Sequence, residues 1–145
     1  MQDRPVYVGV FVGRLQRDRF VVVCDGALFI LETRGGTLRK YTQFGWSTLV
    51  GSDGDFGDST GEGDALSARI RAADGIAMDG TAVVFTDSAN HKLKLYQPET
   101  HTLTTLAGSS VNASELQMPR GVIVTPKSYL IADTGNHRIV RVPRN

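Results

Sequence analysis

One stretch of this chain occurs twice, 46 residues apart, and this repeat limits what the chain can fold into. The first copy runs from Val83 to Tyr96 and reads VVFTDSANHKLKLY, and the second runs from Tyr129 to Val142 and reads YLIADTGNHRIVRV. Self-similarity at a period in the forties indicates a repeated supersecondary unit, and a propeller blade is one of the few units of that size. The repeat therefore predicts an array of similar blades.

Each copy contains an apolar run, a short polar segment and a second, alternating run, which is the pattern of a β-hairpin. We call the polar segments at residues 87–91 (DSANH) and 133–137 (DTGNH) the knots. Asn and Gly tolerate the left-handed backbone of a tight turn, and Asp bonds backbone amides within it. The basic residues that follow the knots, Lys92 and Arg138, are expected to be solvated or to brace the hairpin. We interpret six repeat positions as structural: Asp87, Asn90, His91, Asp133, Asn136 and His137.

The knots and the residues after them share the pattern Asp-(Ser/Thr)-x-Asn-His-(Lys/Arg)-(Leu/Ile), at Asp87 to Leu93 and at Asp133 to Ile139. This pattern resembles that of NHL repeats. Their flanks fit as well, because residues 75–79 precede the first copy at the same spacing as residues 121–125 precede the second. The resemblance covers roughly residues 18–145. It implies an all-β chain of three four-stranded antiparallel β-propeller blades, which is half of a six-bladed ring.

The repeat register divides residues 1–145, a single β-propeller segment, into three blades. The first blade, residues 18–52, is degenerate, because two glycines replace the Asn and His of the knot. The second blade is residues 70–109, and the third is residues 116–145, which lack an outer strand. Residues 6–13 alternate apolar and other residues at a period of two, which predicts an additional terminal strand.

The predicted strand at residues 6–13 belongs to no blade, and the third blade lacks one strand. Three blades cannot close a ring, but two chains could supply three blades each, with the strand at residues 6–13 of each chain completing the third blade of the other. A closed two-fold dimer is the commonest assembly of identical chains. We therefore expect a homodimer, and the alternative is that the remaining blades belong to a longer chain of which these residues are a part.

Composition excludes few classes of function. Sixteen Lys and Arg residues against fifteen Asp and Glu leave a net charge of +1, so no global field favours nucleic acid, which we regard as an improbable partner. No apolar run approaches the roughly 20 residues that span a bilayer. Cys24 is the only cysteine, which excludes an intramolecular disulfide and leaves the compartment undecided.

A loop rich in Gly and Asp, residues 53–68, separates the first two blades and carries five acidic side chains. Asp53 and Asp55 stand where the first two ligands of a calcium loop would stand. However, Gly57 occupies the third ligand position, and Asp64 stands where a bidentate Glu is needed. We interpret the segment as a solvated loop and keep a calcium site as the alternative.

Neither the histidines nor any motif predicts catalysis. His91 and His137 are equivalent positions of successive blades, so they are expected at separate points around the axis and not as joint zinc ligands. The chain contains no nucleophile elbow, phosphate-binding loop or His-Glu-x-x-His helix. The sequence therefore predicts no catalytic, cofactor-binding or metal-binding residue.

The resemblance implies three classes of function. The first is a non-enzymatic scaffold that binds a protein partner through the loop-rich face of an NHL-like propeller. The second is a metal-dependent lyase with metal in the channel, for which no catalytic residue of this chain can be assigned. The third is RNA binding through a basic propeller face. Scaffold function is the leading hypothesis, and four arginines are its candidate contacts: Arg34, Arg69, Arg71 and Arg120.

Overall fold

The computed structural model describes residues 19–24, 26–52, 54–58, 63–108 and 115–144, which form three antiparallel β-sheets. The prediction of an all-β chain is therefore confirmed. The predicted terminal strand at residues 6–13 lies outside the described residues. In the described part of the chain, no helix has the length and apolar character needed to cross a membrane.

The first sheet is a meander of four strands in which each strand pairs with the next. Its strands are β1 (Arg19–Cys24), β2 (Ala27–Glu32), β3 (Thr37–Thr42) and β4 (Gly45–Val50). The run ALFILE forms β2, because β-branched and aromatic side chains fit a pleated surface that is buried on one or both sides.

The second sheet has the strand order β5-β9-β8-β7-β6. Its strands are β5 (Gly63–Asp64), β6 (Gly75–Asp79), β7 (Ala82–Asp87), β8 (Lys92–Gln97) and β9 (Thr102–Ala107). The two-residue strand β5 was not predicted, and it pairs with the outer edge of β9. Every residue of β7 is buried, because sheets cover both faces of this strand.

The third sheet has three strands in the order β10-β11-β12. They are β10 (Val122–Val124), β11 (Ser128–Asp133) and β12 (Arg138–Pro143). Within the described residues, β12 has a neighbouring strand on one side only. Its other edge therefore presents unpaired backbone groups, which proteins normally cover.

Two apolar cores lie between successive sheets. The first core joins the first and second sheets and includes Leu38 and Phe85. The second core joins the second and third sheets and includes Leu93 and Ile131. The sheets are therefore stacked face against face, as the blades of a propeller are.

The second and third sheets approach each other so closely at Gly75 that no side chain fits. A Cβ on Gly75 would lie 2.0 Å from the carbonyl oxygen of Arg120, which belongs to the segment entering the third sheet. The same oxygen accepts a hydrogen bond from the hydroxyl of Thr86 at 2.7 Å. Glycine at the start of an inner strand thus allows the next sheet to dock.

Among the residues that the structure describes, no further sheet covers the two outermost faces of the stack. Leu38, Leu93 and Ile139 occupy the same repeat position, and their exposed fractions are 0%, 0% and 69%. On the opposite face of each sheet, Tyr96 of the second sheet is 2% exposed, whereas the equivalent Tyr41 of the first sheet is 40% exposed. Positions that face a neighbouring sheet within the stack therefore face solvent at its two ends.

Candidate interaction face

The two knots and the equivalent turn of the first sheet lie at the same end of the three sheets, which we call the knot face. It is formed by the turns at residues 33–36, 88–91 and 134–137 and by the described residues of the two connections between sheets, 54–58, 65–74 and 115–121. The residues of the second connection contact both neighbouring knots: the Pro119 carbonyl accepts a hydrogen bond from Ser88, and the Gln117 carbonyl accepts one from the Gly135 N–H at 2.7 Å. The described residues of this connection thus join the second and third turns of the knot face.

The carboxylate of each knot holds the chain that enters its own sheet. Asp87 accepts hydrogen bonds from the backbone N–H of Arg71 at 2.8 Å and from the amide of Asn90 at 3.0 Å. Asp133 accepts the equivalent pair, from the N–H of Gln117 at 2.6 Å and from the amide of Asn136 at 2.8 Å. Because Arg71 and Gln117 are also 46 residues apart, the clamp is itself part of the repeat.

The left-handed residue of each knot is the histidine. His91 has φ of 59° and His137 has φ of 53°, whereas neither asparagine of the knots has a positive φ. The expectation that Asn supplies the left-handed backbone is therefore wrong, because its amide instead bridges the carboxylate to a loop carbonyl, that of Gly57 at 2.6 Å in the first knot. In the degenerate first repeat Gly36 stands at the histidine position, and its φ of 69° confirms the predicted use of glycine there.

His91 also joins two sheets. Its ring Nδ1 accepts a hydrogen bond from the backbone N–H of Met118 at 3.0 Å, in the connection that leads to the third sheet. His137, the equivalent residue of the last described sheet, is exposed. Both histidines thus supply the left-handed residue of their turns. His91 also makes an inter-sheet contact for which the sequence offered no signal.

The two knot carboxylates have opposite pKa shifts. Burial raises the pKa of Asp87 to about 6, against the hydrogen bonds that this carboxylate accepts. Burial also raises the pKa of Asp133, but hydrogen bonds from the Gln117 N–H and from Arg138 outweigh it, so that pKa is lowered. The difference arises from the deeper burial of Asp87 together with the hydrogen bond that Arg138 Nε donates to Asp133 at 2.8 Å. Its repeat equivalent, Lys92, pairs with Asp58 instead.

Lys92 and Lys94 are buried, with exposed fractions of 1% and 0%. The Nζ of Lys94 donates to the hydroxyl of Thr105 at 2.8 Å, and burial together with the charge of Lys92 lowers the pKa of Lys94. The expectation that Lys92 is solvated or braces its hairpin is therefore wrong, because Lys92 is buried and pairs with Asp58 of the preceding loop. Arg138 braces its hairpin through Asp133, which is one of the two expected alternatives. An alternating KLKLY run carries no signal that its lysines are buried, because lysine in a strand usually points to solvent.

Carboxyl titration by carbon-13 NMR is expected to place the pKa of Asp87 clearly above that of Asp133. A pKa raised on folding contributes stability below the unfolded-state value, and that stability is lost as the pH rises towards about 6. A lowered pKa acts in the reverse sense, so the contribution of Asp133 is lost as the pH falls through its folded-state pKa. An Asp87 that titrates at or below Asp133 would contradict this account of the two knots.

The four candidate arginines all lie on the knot face. Arg34 is in the turn between β2 and β3, and Arg69 and Arg71 lie in the segment that leads to β6. Arg69 is paired with Asp55 at 3.3 Å, and the side chain of Arg120 is paired with Asp74 at 3.5 Å. These two arginine side chains nevertheless remain 57% and 61% exposed.

The described part of the acidic loop is tied to the second sheet. Asp58 pairs with Lys92, and Asp64 accepts hydrogen bonds from the N–H of Ser67 at 3.1 Å and its hydroxyl at 2.7 Å. Asp53 and Glu62 lie outside the described residues. Among the residues that the structure describes, no three His, Cys, Asp or Glu side chains are grouped so that they could hold a metal ion.

Comparisons with known proteins agree with the repeat. No family model matches the chain. It is 32% identical over 133 residues to NHL repeat-containing protein 2 of Bos taurus and 31% identical to that of Homo sapiens. These matches cover 77% of this chain and 18% of each relative, so the chain spans less than a fifth of the curated relatives' length.

Solved structures show the same fold at low identity. An auxiliary nutrient binding protein from Bacteroides thetaiotaomicron has a TM-score of 0.66 at 18% identity, over 81% of this chain and 34% of that one. Virginiamycin B lyase from Staphylococcus aureus has a TM-score of 0.60 at 13% identity, over 83% of this chain and 36% of that one. The same stack of sheets thus occurs in a nutrient binding protein and in a lyase, and the fold alone does not select between such functions.

Proposed function

Because this chain belongs to the NHL-repeat family of β-propellers, we propose that it is a non-enzymatic binding module that holds a protein partner on its knot face. The partner contacts are Arg34, Arg69, Arg71 and Arg120. Arginine is enriched among the residues that dominate protein interfaces, because its planar guanidinium offers several donors and a stacking surface.

The observation that carries this proposal is the way in which the knot of the second sheet fixes two arginines. The N–H of Arg71 donates to Asp87, and its carbonyl accepts a hydrogen bond from the N–H of Ala89 at 3.1 Å. The carbonyl of Arg120 accepts a hydrogen bond from the hydroxyl of Thr86, in the strand that leads into the same knot. Both backbones are therefore fixed while both side chains remain exposed. A preorganised donor loses less entropy when a partner binds.

In this proposal the three sheets are three blades of four main strands each, with the two-residue β5 added to the second, and they make half of a six-bladed ring. A second copy of the chain supplies the other half, and residues 6–13 of each copy pair with the free edge of β12 in the other. The high exposure of Tyr41 and Ile139 supports further blades at both ends of the stack. If the remaining blades instead belong to a longer chain, the same two faces are covered from within that chain.

The Arg71→Glu variant is expected to lose protein partners that the unmodified chain captures from an extract of its source cells. Lys127→Glu is the matched control, because it makes the same charge change at an exposed residue in the turn between β10 and β11, at the opposite end of the sheets. Quantitative mass spectrometry of the captured proteins measures the difference. Equal capture by both variants would contradict the proposed face, and capture that disappears after ribonuclease treatment would favour the RNA-binding alternative.

A further inference from the structure

A cleft of about 350 Å³ opens between the first and second sheets, at the end opposite the knot face. Phe29, Leu49 and Met78 give it apolar walls, and Lys40, Tyr96 and Glu99 supply its polar groups. The volume falls at the small end of the roughly 300–1,000 Å³ that is typical of ligand pockets. The cleft is separate from the knot face and from the open faces of the stack.

The gap between the second and third sheets is closed at the corresponding place. There the hydroxyl of Tyr129 donates to Asp79, and the guanidinium of Arg144 donates to Asp79 at 2.8 Å. The residues 46 positions earlier are Val83 and Pro98, which cannot make these bonds. The loss of this polar closure accounts for an open cleft in one gap and a sealed gap in the other.

The cation in the cleft is not required by the repeat. Lys40 corresponds to Leu95 in the second sheet, where the residue is apolar and 9% exposed. The Nζ of Lys40 lies 5.5 Å from the centre of the Phe29 ring, and within the described residues it forms no ion pair. A half-buried ammonium group over an aromatic ring, with apolar walls beside it, favours an anion that carries an apolar group.

The opposite wall of the cleft is polar, and neighbouring side chains hold its polar groups in place. The carboxylate of Glu99 accepts the hydroxyl of Thr81 at 2.8 Å, and the hydroxyl of Tyr96 lies 3.3 Å from the Nδ1 of His101. Burial raises the pKa of Tyr96, and the charge of Glu99 raises it further, so the phenol stays neutral. A carboxylate in the cleft is therefore directed towards Lys40 and away from Glu99.

From this geometry we propose that the cleft binds a small apolar carboxylate, with the carboxylate on the ammonium group of Lys40 and the apolar group between Phe29, Leu49 and Met78. The interaction consists of a charge-assisted hydrogen bond together with burial of apolar surface. It needs no metal, and no group of the knot face takes part.

The test uses 3-phenylpropionate as the probe, with titration followed by the methyl signal of Met78 and by calorimetry. We expect saturable binding, and binding of the neutral 3-phenylpropanamide weaker by about tenfold or more, the effect of losing one charge-assisted hydrogen bond. Lys40→Met keeps the apolar stem of the side chain and should weaken binding of 3-phenylpropionate by the same factor. Lys127→Met, which removes a lysine outside the cleft, should leave the affinity for 3-phenylpropionate unchanged.

Met78→Trp fills the cleft and should abolish binding of the acid, and a thermal melt checks that this variant folds. The proposal is overturned if the acid does not bind at millimolar concentration or if the amide binds as tightly as the acid. It is also overturned if Lys40→Met leaves the affinity unchanged. Lys40→Met keeps the test decisive if Met78→Trp does not fold.

Discussion

Gly75→Ala is expected to destabilise the chain by about 3 kcal/mol, near the upper end for inserting a methyl group into a packed site. The added Cβ would lie 2.0 Å from the carbonyl oxygen of Arg120 and 3.2 Å from the hydroxyl of Thr86. Because the closest atom belongs to the backbone, no side-chain rotation relieves the clash, and the segment entering the third sheet must move. Urea denaturation followed by circular dichroism measures the loss.

Gly63→Ala is the matched control for this substitution. Gly63 also lies in a strand and has no positive φ, and a Cβ there would have no atom of another described residue within 4 Å. The free energy of unfolding of the Gly63→Ala variant should stay within about 0.5 kcal/mol of that of the unmodified chain, as for most surface substitutions. A Gly75→Ala variant as stable as the Gly63→Ala variant would show that the second and third sheets do not pack as the structure has them.

Ile139→Glu is expected to weaken self-association by on the order of a hundredfold, since it buries a carboxylate in the proposed contact between copies. In the single chain the cost is small, because Ile139 is 69% exposed. Leu66→Glu is the control, since Leu66 is 51% exposed in the turn after β5 and outside the open faces. Sedimentation equilibrium gives the dissociation constants of both variants.

Gly121→Ala tests the same contact without adding charge. Gly121 is the repeat equivalent of Gly75, but among the described residues of the single chain its Cβ would contact only the Cβ of Ala132, at 3.7 Å. If another blade docks on the third sheet as the third docks on the second, this alanine obstructs the approach. The variant should then fold normally and associate poorly. Association equal to that of the unmodified chain would mean that no blade docks there.

The repeat made the fold largely predictable. Hydrophobic runs and knots recur at a fixed spacing, so the position of each central hairpin followed from the sequence, and a polar knot between two apolar runs has few alternatives to a turn. The assignment within the knot was less accurate. Both Asn and His tolerate a left-handed backbone to some extent, and the choice depends on which side chain finds a partner across the sheet boundary, as Asn90 does with Gly57.

The features missed by the sequence analysis depend on contacts between sheets. The alternation that predicts β8 does not show that Lys92 is buried, because its partner Asp58 comes from a glycine-rich loop with no period of its own. The cleft beside Lys40 was missed for a similar reason. It exists because Tyr129 and Arg144 close one gap while Val83 and Pro98 leave the other open, and only the packed structure aligns those positions.

The mass of the unmodified chain in solution, measured by light scattering over a range of concentrations, tests most directly whether two copies complete the ring. The account predicts a mass of twice the 15.7 kDa of one chain, which falls to that of one chain in the Ile139→Glu variant. A soluble species of 15.7 kDa at every concentration, with Ile139→Glu indistinguishable from it, would contradict the dimeric ring.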